Sequence, residues 1–139
     1  MKTTVLILNW NTLASCRAQL RSMKSVGVEN VEVTVIDNCS SEQGVDSLVD
    51  EFPFVRLMKL TANTGFTGGF NRGIEKAAQG GAELVVLLNP DLVFVENPFP
   101  AIVELMKSNP AVGVVSPAVY NDRECGDLYC LGWDFSSLS

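Results

Sequence analysis

Four clusters in this 139-residue chain have the residue types and spacing to do chemistry: Asn9-Trp10-Asn11, Asp37-Asn38, the run from Asn63 to Gly73, and Asn89-Pro90-Asp91. A carboxylate such as Asp37 at the end of a strand can accept hydrogen bonds from a nucleoside, and in dinucleotide-binding units it grips ribose. Those units need a glycine-rich turn after their first strand. The matching turn here reads Asn9-Trp10-Asn11-Thr12-Leu13-Ala14-Ser15, without glycine, which argues against a nicotinamide dinucleotide. The competing reading of Asp37 and Asn38 is a plain Asx-turn. Gly65, Gly68, Gly69 and Gly73 surround an expected helix start. Either a neighbouring backbone comes close there, or a phosphate or sugar meets free N–H groups at the helix dipole. No Gly-Lys-Ser/Thr follows, so this is not a Walker loop. Asp91, held by a proline turn, either closes an ordinary turn or ligates a hard cation such as Mg2+ or Mn2+ beside substrate phosphates. Basic residues near these loops are few (Lys59, Arg72, Lys76), so a metal is the economical way to neutralise a diphosphate.

The elements that must position these clusters alternate. Apolar, β-rich runs cover Thr3 to Leu8, Val31 to Ile36, Val55 to Leu60, Glu83 to Leu88 and Ala111 to Ser116. Helical spacing predicts Leu13 to Val26, capped by Asn11 or Thr12 and stopped by Gly27. Further helices are expected over Gln43 to Phe52, Ile74 to Gln79 and Asn97 to Asn109. Alternating apolar strands and helices imply an α/β fold with a mostly parallel sheet covered on both faces. Ligands of such sheets bind outside the carboxyl ends of the strands. All four clusters follow strand ends, so the polar residues collect at one rim.

Composition narrows the function. Hydrophobic residues make up 47% of the chain and charged residues 19%, which is enough apolar material for one core. Ten Lys and Arg against sixteen Asp and Glu give a formal charge of -6, a poor match to nucleic acid or anionic membranes. Without histidine, Ser-His-Asp and Cys-His catalysis are excluded within the chain. Cys16, Cys39, Cys125 and Cys130 show no C-x-x-C spacing; they read as reduced thiols of a cytoplasmic protein, with a Cys125–Cys130 disulfide as the alternative. No apolar run spans a bilayer, and Val5 to Leu8 is too short for a signal-peptide core. Asn9 and Asn11 stand where a phosphoacceptor receiver would need acidic residues.

Taken in order, Val5 to Asn11, Val35 to Ser40, Asn63 to Gly73, Leu87 to Asp91 and Val112 to Pro117 resemble the family 2 inverting glycosyltransferases, in their rhamnosyltransferase-like branch. The resemblance implies a Rossmann-like GT-A fold whose nucleotide-sugar-binding half covers residues 1–120, with 121–139 starting an acceptor-side segment. It places Asn9, Trp10 and Asn11 beside the base. Asp37 would accept from the pyrimidine imide N–H, and Asn38 belongs to the same nucleotide-sugar-binding set. Gly65, Gly68 and Asn71 would shape the nucleoside and phosphate pocket. Asn89-Pro90-Asp91 falls at the metal motif, with Asn89 in its usual first carboxylate position and Asp91 as the remaining carboxylate ligand for Mg2+ or Mn2+. The implied donor is a dTDP- or UDP-sugar and the implied acceptor a glycan or lipid-linked species. The reaction would take place in the cytoplasm or at the inner face of the membrane, in polysaccharide or cell-wall synthesis. No base motif surrounds Asp122, Glu124, Asp127 or Asp134, so the catalytic base is left unassigned. The expectation is of a fragment truncated on its acceptor side. Its apolar tail (Leu128, Tyr129, Leu131, Trp133, Phe135, Leu138) would self-associate into a homodimer. A non-catalytic nucleotide-binding or dimerising module of the same fold is the alternative.

Overall fold

The computed structural model describes residues 1–28 and 31–130, and the side chains of all these except Cys130. The chain divides into two compact units, Met1–Phe94 and a second beginning at Val95.

The first unit is built on a four-stranded parallel sheet. Its strands are β1 (Thr3–Asn9), β2 (Val31–Asp37), β3 (Val55–Lys59) and β4 (Leu84–Leu88), in the order β3-β2-β1-β4. Every residue of β1 is buried, as expected for a central strand covered on both faces. Parallel pairing runs from Thr3↔Val31 to Asn9↔Asp37, from Thr3↔Leu84 to Ile7↔Leu88, and from Val33↔Val55 to Asp37↔Lys59. The register therefore sets Asn9 directly beside Asp37.

Alternation along β1 separates two faces. Leu6 and Leu8 join Ile36 and Phe70 in one core cluster. Asn9 points the other way, where Cys16 of helix α1 (Leu13–Ser25) reaches it. Helix α1 ends one residue short of the expected Val26, and Gly27 takes φ +67°, a left-handed conformation suited to glycine. Thr12 is its N-cap residue but makes no side-chain cap; Glu42 instead accepts from the Leu13 N–H at 2.9 Å.

Two helices differ from expectation. Helix α2 is only Ser47–Glu51, because Gly44 at φ +94° and the turns Ser47 N–H to Gly44 O and Leu48 N–H to Val45 O occupy the preceding residues. Helix α3 runs Gly65–Gln79, nine residues earlier than the glycine content suggested. Glycine in a helix costs about 1 kcal/mol relative to alanine, and here the sheet explains the choice. A Cβ on Gly69 would lie 2.5 Å from Leu8 Cδ1, and one on Gly73 would overlap Ile36 Cδ1 and stand 2.9 Å from Leu6 Cδ1. Two of the glycines thus let α3 seat closely on β1 and β2, the role of a close neighbour, with side chains rather than backbone as that neighbour.

The second unit holds helix α4 (Phe99–Ser108), with Pro100 in its first turn. It also holds an antiparallel pair of short strands, β5 (Val119–Tyr120) and β6 (Leu128–Cys130). The expected strand over Ala111 to Ser116 does not form: those residues pair with no strand, and Val114 is 86% exposed. An apolar run is a strand only when a neighbouring strand takes its N–H and C=O groups, and no such pairing forms there among the described residues. In the tail, Leu128 and Tyr129 are exposed; Leu131, Trp133, Phe135 and Leu138 lie outside the described residues. Cys16, Cys39 and Cys125 are free thiols, and the side chain of Cys130 lies outside what the structure describes. No helix among the described residues is long and apolar enough to cross a membrane.

Candidate functional site at the carboxyl rim of the sheet

The rim carries a polar network built from the ends of β1 and β2. Asn9 is fully buried, and its amide is saturated. Nδ2 donates to Asp37 Oδ1 at 2.9 Å and to Ser40 Oγ at 3.1 Å. Oδ1 accepts from the Thr12 N–H at 3.2 Å and from Thr12 Oγ1 at 2.9 Å, and receives a weak bond from Cys16 Sγ at 3.5 Å. Burial pushes the Cys16 thiol up to about 12, with Thr12 opposing and the negative charge of Glu42 adding to the rise, so Cys16 stays neutral.

Asp37 is 3% exposed. Its Oδ1 is taken by Asn9, while its Oδ2 has no hydrogen-bond partner among the described residues and is not closed off from solvent. An ionised carboxylate accepts several hydrogen bonds, so Asp37 keeps capacity for a donor brought by a ligand. Asn38, 2% exposed, does not keep any. Its Nδ2 donates to Asn63 Oδ1 at 2.9 Å and Gly65 O at 3.1 Å, and its Oδ1 accepts from the Thr64 N–H and hydroxyl at 3.0 and 3.2 Å. Asn38 therefore clamps the start of α3 to the end of β2. Asn11 sits in the left-handed region at φ 55° and plays a similar part, its Oδ1 accepting from Ser41 and Glu42 N–H groups at 2.9 and 3.1 Å.

The remaining residues of the sequence-based set face outward. Trp10 is 54% exposed. Gly65 has φ +72° with open space where a Cβ would be, whereas a Cβ on Gly68 would meet Thr64 at 2.8 Å. Asn71, Asn89 and Asp91 are exposed. The rim cations are engaged: Lys59 pairs with Asp46 at 3.0 Å and Arg72 with Glu75 at 3.8 Å. Lys76 lines a cleft of about 380 Å³ with Lys2, Glu32 and Arg56. That cleft includes Lys2 and Thr4 at the amino end of β1, opposite the rim.

No group of three or more metal-ligating side chains occurs among the described residues. Asp91 is a hard, exposed oxygen ligand standing alone. That fits a cation shared with a diphosphate and water, as Mg2+ prefers, and does not fit an all-protein cage.

Sequence reasoning missed Glu42, the tying role of Ser40 and Asn63 in the motifs it named, and two residues of α1. Gln19 is fully buried and donates from Nε2 to the Asn89 carbonyl oxygen at 2.7 Å. Ser22 accepts at Oγ from the Phe94 N–H at 3.0 Å. Both are polar residues on the apolar face of an amphipathic helix, and that is the signal that would have found them. Gln19 Oε1 has no partner among the described residues, and an unpaired buried oxygen costs about 1–3 kcal/mol.

A four-stranded parallel sheet flanked by helices, with polar residues at its carboxyl rim, is a Rossmann-like α/β arrangement, and its likeness to solved glycosyltransferases makes it a GT-A fold. The description "Glycosyl transferase family 2" matches residues 4–129, and the chain belongs to that family. Among solved structures it is similar to residues 1–349 of S. aureus TarS in complex with UDP-GlcNAc: 20% identity, TM-score 0.67, covering 79% of this chain and 32% of that one. It is also similar to the mannosyltransferase PcManGT of Pyrobaculum calidifontis in complex with GDP-Man and Mn2+: 23% identity, TM-score 0.71, covering 89% of this chain and 37% of that one. At these identities the likeness establishes the fold. The chain spans about a third of the length of these structures. No curated protein matches it significantly.

Proposed function

We propose that this chain holds the nucleoside-diphosphate-sugar of an inverting glycosyl transfer. The observation that carries the reading is Asp37: a carboxylate at the rim with one oxygen fixed by Asn9 and the other left for a ligand donor. The uracil or thymine imide N–H is such a donor, and the exposed ring of Trp10 stands next in sequence to Asn9 for the base to lie against. Asn9, Asn11 and Asn38 hold this pocket in shape. Gly65, Gly68 and Asn71 border the nucleoside and phosphates. Asn89 and Asp91 lie on the diphosphate side, with Asp91 the ligand of an Mg2+ or Mn2+ ion that offsets the leaving-group charge. The engagement of Lys59 and Arg72 by carboxylates supports this division of labour. So do the nucleotide sugars and Mn2+ named for the solved neighbours.

In the reaction, an acceptor hydroxyl of a glycan or lipid-linked species attacks the anomeric carbon. The bond from that carbon to the diphosphate oxygen breaks, a base takes the hydroxyl proton, and the configuration inverts. The resemblance to the rhamnosyltransferase-like branch favours a deoxyhexose such as rhamnose, carried on dTDP or UDP. Residues 1–120 form the donor half, and no residue of this chain is assigned as the base. The three free thiols support a reducing, cytoplasmic setting.

Calorimetric titration with UDP and dTDP, with and without Mn2+, tests the donor site. Binding of both, strengthened by Mn2+, is expected; no binding of either refutes it. The second reading, a nucleotide-binding module without catalysis, shares the binding result. Sugar release from a dTDP- or UDP-sugar to an acceptor by the 139-residue chain would exclude it.

A further inference from the structure

We infer that Gln19 and Ser22 of α1 are positioning residues that set the segment from Asn89 to Phe94, and with it Asp91, for metal–diphosphate binding. The inference rests on the donor-site reading above, but its structural part stands on its own. Gln19 and Ser22 are three residues apart and share one face of α1. Gln19 Nε2 reaches the Asn89 carbonyl oxygen at 2.7 Å, and Ser22 Oγ receives the Phe94 N–H at 3.0 Å. The first bond falls two residues before Asp91 and the second three residues after it. Ser22 Oγ also donates to Gln19 O at 2.7 Å, which fixes the hydroxyl so that its lone pair faces Phe94. Asp91 is exposed, so its placement depends on the backbone that carries it.

The chemistry of Gln19 strengthens the case. Gln19 is fully buried, and its Oε1 has no partner among the described residues, so Nε2 carries the amide's one side-chain bond. That bond goes to the segment that bears Asp91. A group retained at a cost to the fold and directed at a candidate site marks a positional duty.

The test uses the 139-residue chain and four measurements: UDP binding with Mn2+ by calorimetry, uridine binding without metal by ligand-observed NMR, thermal melting, and amide exchange over residues 91–94. Gln19→Met and Ser22→Ala should each weaken Mn2+-dependent UDP binding by about five- to tenfold, the worth of one hydrogen bond. Both should leave uridine binding unchanged and speed exchange in the segment. Gln19→Met removes both the Oε1 without a partner and the bond to Asn89 O, so its melt should stay within a few degrees of the parent. Ser22→Thr, which keeps the hydroxyl, should restore the parent's behaviour. Full Mn2+-dependent UDP binding in both loss variants overturns the inference, as does an equal loss for uridine. If the parent binds no UDP, the donor reading fails by itself; exchange then decides the anchoring, and an unchanged rate in Ser22→Ala overturns it.

Discussion

Replacing Asp37 in two ways separates its two duties. In Asp37→Asn the amide oxygen can still accept from Asn9 Nδ2, which now meets Asp37 Oδ1 at 2.9 Å, and the new NH2 takes the place of Oδ2. The fold should therefore melt close to the parent. Toward a ligand the change is severe, because an imide N–H would face another donor. Losing a charge-assisted hydrogen bond of about 1.5–3 kcal/mol weakens UDP binding by roughly 10- to 150-fold. Cytosine carries an acceptor where uracil carries that N–H. Asp37→Asn should thus bind CDP better than UDP, the reverse of the parent. Asp37→Ala also strips Asn9 Nδ2 of one of its two acceptors, leaving Ser40 Oγ at 3.1 Å. An unpaired buried N–H costs about 1–3 kcal/mol, so this variant should melt several degrees lower as well as lose UDP. Calorimetry with UDP and CDP, beside thermal melts, reads both effects. Unchanged UDP affinity in Asp37→Asn, or parallel losses for UDP and CDP, would refute the base-facing role of the carboxylate.

Other changes address other parts of the molecule. Asp91→Asn should remove most of the Mn2+ enhancement of UDP or dTDP binding and leave uridine binding nearly unchanged, since the cation serves the phosphates; calorimetry with and without Mn2+ decides. Gly73→Ala gains about 1 kcal/mol of helix propensity but drives a methyl onto Ile36 and Leu6, both essentially unexposed. Overpacking costs about 1–3 kcal/mol, so a net loss of up to about 2 kcal/mol should appear in denaturant melts. Cys39 and Cys125 should take up an alkylating reagent in the native state, and Cys16 only after unfolding, as peptide mass mapping would show. The Cys16 pKa, raised from 9.0 to about 12, means that the unfolded chain releases this proton first as pH rises. Its contribution to stability is complete below pH 9.0 and is lost by about 12, so Cys16→Ala should flatten the alkaline fall in melting temperature between those values.

The legible parts of the sequence were those decided by local pattern. Thr3–Asn9 and Val31–Asp37 carry β-rich patterns that pair with each other, and that parallel register brings Asn9 to Asp37. The stretch from Gly65 to Gly73 was not legible, because its glycines answer to Leu6, Leu8 and Ile36, side chains of distant strands. Residues 111–116 carry an apolar pattern of the same kind, but a strand also needs pairing, and none forms there among the described residues. Gln19 and Ser22 were passed over because their partners lie about seventy positions away on the chain.

The rim residues divide by how much hydrogen-bonding capacity the protein itself consumes. Asn9 and Asn38 use both amide hydrogens and the carbonyl oxygen on neighbouring loops, and Asn11 gives its oxygen to the 41–42 backbone. An asparagine can bridge this way because one planar group donates and accepts at once. Asp37 cannot donate when ionised, so protein donors must come to it, and Asn9 brings one. Its second oxygen, the exposed Trp10 and the exposed carboxylate of Asp91 are where a ligand would find unspent chemistry. A residue type alone marks all of these positions equally. The hydrogen-bond inventory separates the frame from the parts of the rim left to bind something.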